Sequence, residues 1–255
     1  MPRPHVVFNA PGAFNPLDRF ATLLDPLPTG TSVAVVMLRG SLCPVTIAHV
    51  QGFIEARRLL LGEEGMSRPA KLEPFKAVLG FISLNSDEHV SKKLAEKRQA
   101  SMSYSKRLEL VKLAVAEHMW MGVDLGASTM LSTLQARWPR LSFVKLTMNG
   151  ADDVLKYRKW TQACPEYRLL TLGRRGDTEA VIKAAASAGI DLDAGNFIMG
   201  PVRRATRRAR MELELHCPTI PMHARMELEL HCPTIPIVCW PPDDVVEPSA
   251  NVHVL

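Results

Sequence analysis

Residues 32–53 read SVAVVMLRGSLCPVTIAHVQGF, and the change of character along them decides the fold. SVAVVML (32–38) is a continuous β-branched run, the pattern of a strand buried on both faces. From Val45 to Leu61 the apolar positions fall at helical spacing, so that Val45, Phe53, Ile54, Leu59 and Leu60 share one flank with His49. Between the two lie a Gly40-Ser41 turn, Pro44 and a Thr46-x-x-His49 step. A segment that leaves a parallel strand at its carboxyl end and enters a helix occupies the place where open α/β sheets bind ligands. Gly40 lets the backbone turn tightly and approach a ligand. The amides at a helix start, with the helix dipole, favour an anion. Pro44 lacks an N–H and tolerates the first turn. Thr46 and His49 are three apart and so face one side of the helix. The segment is not a Walker A loop, because no GxxxxGK[ST] pattern is present. Taken alone, His49 also reads as a capping or core histidine.

Outward from this segment, strands and helices alternate. KAVLGFISL (76–84), MGVD (121–124), LSFVKLTM (141–148), YRLLTLG (167–173) and NFIMG (196–200) are the further strand candidates. SYSKRLELVKLAVAEHMW (103–120) is an amphipathic helix, a second helix lies around 128–138, and DTEAVIKAAASAG (177–189) is an Ala-rich helix closed by Gly189. SDEHVSKKLAEKRQASM (86–102) is polar and is expected to be a mobile loop. Alternation of this kind predicts an α/β fold, a parallel sheet with helices on both faces. Residues 1–31, rich in Pro and Gly, are expected to form an irregular arm ahead of a domain spanning 32–208.

Composition bounds the function. The chain has 255 residues, 47% apolar and 22% charged, the balance of an ordinary globular protein. No apolar run approaches the length that crosses a bilayer, so no membrane partner is expected. The formal charge of +5 suits a nucleotide or phosphate ligand and is too modest to imply nucleic acid. Much of that charge is local, since GPVRRATRRAR (200–210) holds five arginines. That stretch reads as a solvated basic helix face, a phosphate-contacting segment, or a nuclear-import or nucleic-acid patch. Five scattered cysteines without a CxxC pair fit reduced thiols in an intracellular protein, cytoplasmic or nuclear. The acid-poor start with Arg3 and Arg19 leaves organelle import open.

The last fifty or so residues break the α/β order. ARMELELHCPTIP occurs at 209–221 and again, unchanged, at 224–236. Two copies are too few for a solenoid. A recent duplication, or an error in the gene model, accounts for them. Within each copy MELELHC alternates as a half-buried strand does. The pairs His216/Cys217 and His231/Cys232 lack the usual ligand spacing, and duplication alone explains their symmetry, so no metal site is expected.

GSLCPVTIAH (40–49) resembles the nucleotidyltransferase superfamily signature G-x-F-x-P-x-[HT]-x-x-H. The form with Thr before the second His is similar to that of nicotinamide/nicotinate mononucleotide adenylyltransferases, GSFNPITNMH. Further segments follow in that family's order. ISLNSDEHVSKKL (82–94) resembles its S-P-x-x-D-x-Y-x-K-K loop, and YSKRLELVKLAV (104–115) the helix after it. WMGVD (120–124) resembles its W-x-x-V-D segment, MNGADDVL (148–155) its C-G-A-D-x-L segment, and LLTLGRRGD (169–177) its V-x-R-x-G strand end. The resemblance covers about residues 33–204.

It implies a Rossmann-like nucleotidyltransferase fold and a reaction in which ATP and nicotinamide or nicotinate mononucleotide give the dinucleotide and pyrophosphate. On the matched positions it implies that Gly40 and Ser41 line the nucleotide, and that Thr46 and His49 contact its phosphates. Lys92 or Lys93 would supply a cation. Trp120 would stack on the pyridine ring, with Trp160 as the second aromatic wall. Gly150 and Asp152 would hold the adenosine or ribose side. Mg²⁺ would arrive with the triphosphate, held by the substrate rather than by a protein cage.

The chain departs from the family's pattern at its second phosphate motif, I-S-[SA]-T-x-[IL]-R. Aligned on Ala205-Thr206, the expected serine is Arg204 and the expected arginine falls on Ala209, with Arg208 and Arg210 beside it. One residue on a helix swings a side chain by about 100°, which makes Arg210 the candidate. Leu42, Cys43 and His89 also replace the family's usual residues. These departures leave a second reading open, a non-catalytic subunit that keeps the fold and acts in the assembly of a larger complex. A third is nucleotidyl transfer to another phosphate-bearing substrate. A homo-oligomer is compatible with either enzyme reading.

Overall fold

The computed structural model describes residues 17–124, 130–174 and 176–203. The chain divides into two units, Met1–Pro218 and Thr219–Leu255, and every described residue belongs to the first. The basic run from Arg204 onward, including Arg210, and both copies of the duplicated segment lie outside the described residues.

A short 3₁₀ turn (Asp18–Phe20) and α1 (Ala21–Leu24) precede β1 (Ser32–Gly40). There follow α2 (Ile47–Leu61), β2 (Ala77–Leu84), α3 (Asp87–Ala95), α4 (Tyr104–Val115), β3 (Met121–Asp124) and α5 (Met130–Arg137). The described chain closes with β4 (Ser142–Gly150), α6 (Ala151–Tyr157), β5 (Arg168–Arg174), α7 (Asp177–Ser187) and β6 (Phe197–Arg203). The six strands form one sheet in the order β3-β2-β1-β4-β5-β6, and every pairing is parallel. This is an α/β, Rossmann-like architecture, as the alternation of strand and helix signals predicts.

Two cores flank the sheet. Ala34, Val36, Val78, Ile82 and Leu146 point to one face and pack against Phe53 and Leu60 of α2 and Val111 and Val115 of α4. Val33, Val35, Leu79 and Phe81 point to the other, against Leu134 of α5 and Trp138. That second face continues under α6 and α7 through Leu169, Phe197, Val154 and Val181. Central strands buried on both faces read as continuous apolar runs, and Val33–Leu38 is buried throughout. No helix of the described residues is long and apolar enough to cross a membrane.

Two segments differ from expectation. Residues 17–24, placed in an irregular arm, turn helically and bury Leu17, Phe20 and Leu24 in the second core. Their spacing of three and four is a helical stripe. Trp138 Nε1 donates to Asp25 at 2.7 Å and Arg140 donates to the Leu24 carbonyl at 2.9 Å, tying this segment to the start of β4. Residues 87–95, expected as a mobile loop, are α3. Ser86 caps it by accepting from His89 N, Asp87 and Glu88 sit in its first turn, and Lys92 and Lys93 in its last. Those charges complement the helix dipole, and Val90 alone anchors it in the core.

At the far side of the sheet, β5 and β6 shift register between Thr171 and Gly173. A Cβ on Gly173 would stand 2.4 Å from the Pro201 carbonyl oxygen and 2.9 Å from that of Gly200. Backbone cannot yield as a side chain can. Gly173→Ala is therefore expected to cost about 1–3 kcal/mol, read as a lowered urea midpoint at unchanged slope. An unchanged midpoint would show that β6 does not approach β5 this closely.

Candidate functional site

The strand order reverses between β1 and β4, whose pairing runs from Ser32↔Ser142 to Leu38↔Met148. From β1 the chain leaves on the α2 face, and from β4 it leaves on the α6 face. The carboxyl ends of these two strands therefore open a crevice at the topological switch point. Gly40 ends β1 and Gly150 ends β4, so two of the residues singled out from sequence stand at the two lips.

The loop from Gly40 to Thr46 is held at several points. The Gly40 carbonyl accepts Asn85 N–H at 2.9 Å. Leu42 is buried with a positive φ of 43°, a backbone region that bulky residues rarely enter. Its side chain closes over Gly40, where an added Cβ would meet Leu42 Cγ at 3.4 Å. Ser41 Oγ is buried with no hydrogen-bond partner among the described residues. Cys43 Sγ accepts Met102 N–H at 3.2 Å.

Thr46 is the N-cap of α2 and His49 its third residue. Both are half-buried. The Thr46 backbone N–H donates to His49 Nδ1 at 3.0 Å, and the Thr46 hydroxyl lies 2.7 Å from the same nitrogen. A backbone N–H can only donate, so Nδ1 is an acceptor, and the neutral ring carries its proton on Nε2. His49 is thus a capping residue whose cap fixes its tautomer. The outer edge of the ring becomes a hydrogen-bond donor at a helix start, where the dipole already favours negative charge.

Arg107 was not among the residues read from the sequence as functional. It is 0% exposed and lies on the buried stripe of α4 with Val111 and Val115. Nη1 donates to the Ser41 carbonyl at 2.8 Å, and Nη2 to the Asn85 carbonyl at 2.9 Å and to Asp87 at 2.8 Å. An arginine in register with the apolar stripe of an amphipathic helix was the available signal. The hydrogen bond from Arg107, and after it one from the Tyr104 backbone, hold the Asp87 carboxyl below the usual carboxylate range. A depressed carboxylate contributes stability that is complete above its unfolded pKa and is lost as pH falls through the lower, folded value. Wild type and Asp87→Asn should therefore differ in urea stability at about pH 6, and the difference should begin to shrink only as pH falls below about 4, the ordinary carboxylate value. A difference that persists unchanged into acid would contradict the pair.

On the β4 side, Lys159 donates to Asn149 Oδ1 at 2.6 Å and also pairs with Asp153. Asn149 Nδ2 is buried with no partner among the described residues. Neither Lys159 nor Asn149 carried a sequence signal. Asp152 lies exposed in the first turn of α6, two residues from Gly150. Lys92 and Lys93 are exposed in the last turn of α3, the helix that follows β2.

The two tryptophans are not brought to the crevice together. Trp160 is 2% exposed and sits in the core with Val154, Leu169 and Phe197, with Nε1 unpartnered among the described residues. Trp120 precedes β3 and packs beside Gly80, in the first half of β2, with Arg57 of α2 5.4 Å from its ring centre. It thus lies toward the amino ends of the strands, away from the Gly40–Thr46 loop. A separate cavity of about 430 Å³ beside β6, lined by Leu59, Met66, Arg68, Thr178 and Met199 among others, includes none of the site residues.

No family model matches the chain, and no curated protein matches it. Among solved structures it is similar to Plasmodium falciparum nicotinic acid mononucleotide adenylyltransferase complexed with APC, at 9% identity and a TM-score of 0.40, over 69% of this chain and 78% of that one. It is similar also to the same enzyme complexed with NaAD, at 9% identity and a TM-score of 0.38, over 68% and 77%.

Proposed function

We propose that the chain transfers an adenylyl group from ATP to nicotinamide or nicotinate mononucleotide. The mononucleotide phosphate oxygen attacks the α-phosphorus of ATP. The bond from that phosphorus to the bridging oxygen breaks, and pyrophosphate leaves. The observation that carries this reading is the loop at the switch point, with His49 fixed as an Nε2–H donor by Thr46. Gly40 and Ser41 line the nucleotide, Thr46 builds the turn, and His49 donates to phosphate oxygens as charge develops on them. Lys92 and Lys93 add positive charge from α3. Gly150 and Asp152 face the adenosine or ribose from the β4 lip. Arg210 is the candidate for the second phosphate contact. Mg²⁺ enters as the complex with ATP. No group of three His, Cys, Asp or Glu side chains among the described residues is arranged to cage it. Catalysis on this reading is positioning and charge neutralisation, with no covalent enzyme intermediate.

A second reading, nucleotidyl transfer to a different phosphate-bearing acceptor, draws on the burial of Trp160 and the remote place of Trp120. Neither offers a free ring face beside the loop. Pyrophosphate release with ATP and each of nicotinamide mononucleotide, nicotinate mononucleotide and a non-pyridine phosphomonoester separates the readings. Turnover confined to the pyridine substrates supports the first. Turnover with the phosphomonoester alone moves the assignment to the second. No turnover from folded protein removes both and leaves a non-catalytic subunit.

A further inference from the structure

Arg107 joins several parts of the candidate site. Its guanidinium reaches three different loops: Ser41 after β1, Asn85 and Asp87 after β2, and the Met102 carbonyl before α4, accepting from Nε at 3.2 Å. Two further bonds tie the same loops, Asn85 N–H to the Gly40 carbonyl at 2.9 Å and Met102 N–H to Cys43 Sγ at 3.2 Å. The loop that carries Gly40–Thr46 and the start of the helix that carries Lys92 and Lys93 therefore share one buried cation. Removing Arg107 alone would leave three carbonyls and one carboxylate without their donor, so the side chain contributes stability as well. What a planar fork of donors supplies is direction, several acceptors held in fixed relative positions.

We propose that Arg107 is the positioning residue of the phosphate site, holding the Gly40–Thr46 loop and α3 in one register so that both address the same triphosphate. The kinetic consequence rests on the adenylyl-transfer reading; the mechanical coupling of loop and helix does not. A misplacement of about 1 Å at such a site can cost about 100-fold in rate.

The test uses Arg107→Met and Arg107→Lys in the full chain, with hydrogen exchange read by mass spectrometry and steady-state kinetics with Mg·ATP. Both variants are expected to speed exchange in peptides covering 40–46 and 86–96 together. An ammonium group lacks the fork needed to span four acceptors, so lysine does not restore the register. The ratio kcat/KM should fall about 100-fold, with KM for ATP raised as well as kcat lowered. A merely structural role would reduce the folded fraction and lower kcat at unchanged KM. Asp87→Asn, which leaves the three carbonyl bonds intact, should speed exchange in 86–96 alone. Wild-type exchange in both peptides of folded Arg107→Met overturns the proposal, as does a kcat loss at unchanged KM. Should Arg107→Met not fold, Arg107→Lys and Asp87→Asn decide by the same exchange pattern. Should the wild type show no turnover, the functional reading fails while the exchange measurement still decides the coupling.

Discussion

Replacing His49 by alanine is expected to lower adenylyl transfer by about 100- to 1,000-fold, the cost of removing one preorganised donor to developing negative charge. The side chain has two jobs that separate by substitution. Its Nδ1 accepts the Thr46 N–H and closes the first turn of α2. Its Nε2–H, which that bond makes a donor, is the group proposed to meet the phosphates. Asparagine reproduces an acceptor near Nδ1 without the reach of Nε2, and glutamine reproduces the reach. His49→Asn should therefore keep the stability that His49→Ala loses, about 1 kcal/mol for a lost cap, yet share its low activity. His49→Gln should retain more activity than either. Pyrophosphate release and urea unfolding on the three variants check both halves, and wild-type turnover by His49→Ala would contradict the assignment.

The second large effect concerns how α2 is seated, since α2 carries the site at its first turn. Phe53 is fully buried, and a Cβ on Gly80 of β2 would lie 2.7 Å from its Cδ1 and 3.1 Å from Trp120 Cζ3. The missing side chain on β2 is the space into which the ring of α2 packs. Phe53→Ala is expected to cost about 3–5 kcal/mol. Gly80→Ala, which pushes the helix off the strand, should cost about 1–3 kcal/mol. In the double variant the alanine methyl occupies part of the space vacated by the ring, so the sum should overstate the loss by about 0.5–3 kcal/mol. Urea unfolding of the four proteins closes the cycle. Strict additivity would show that Phe53 does not fill the notch at Gly80.

The sheet was legible because β1 and β2 are buried on both faces. Runs such as SVAVVML and KAVLGFISL leave little room for another reading, and the strand-helix alternation implied parallel order. Helix α3 was hidden because a single buried residue, Val90, anchors it. Its polar composition looks like a loop, and only the order of charges, acidic then basic behind Ser86, marks the helix. Leu17, Phe20 and Leu24 were masked by surrounding prolines and glycines. The placement of Gly40 at a strand end and of Thr46 and His49 at a helix start was legible because it depends on neighbours in sequence. Arg107 was not, because it acts on residues distant along the chain, such as Ser41, and Lys159 was not, because its partners Asn149 and Asp153, though near in sequence, form no recognisable motif with it. The tryptophans were assigned by resemblance, and burial places one of them in the core.

Whether the loop after β1 presents His49 to the phosphates of ATP can be read by long-range ¹⁵N–¹H correlation of His49, with and without Mg·ATP. The expected spectrum shows the Nε2–H tautomer in the free protein, with Nδ1 unprotonated against Thr46, and a shift centred on Nε2 as the nucleotide saturates. An Nδ1–H tautomer, or a His49 spectrum unmoved by Mg·ATP at concentrations that saturate turnover, would contradict it.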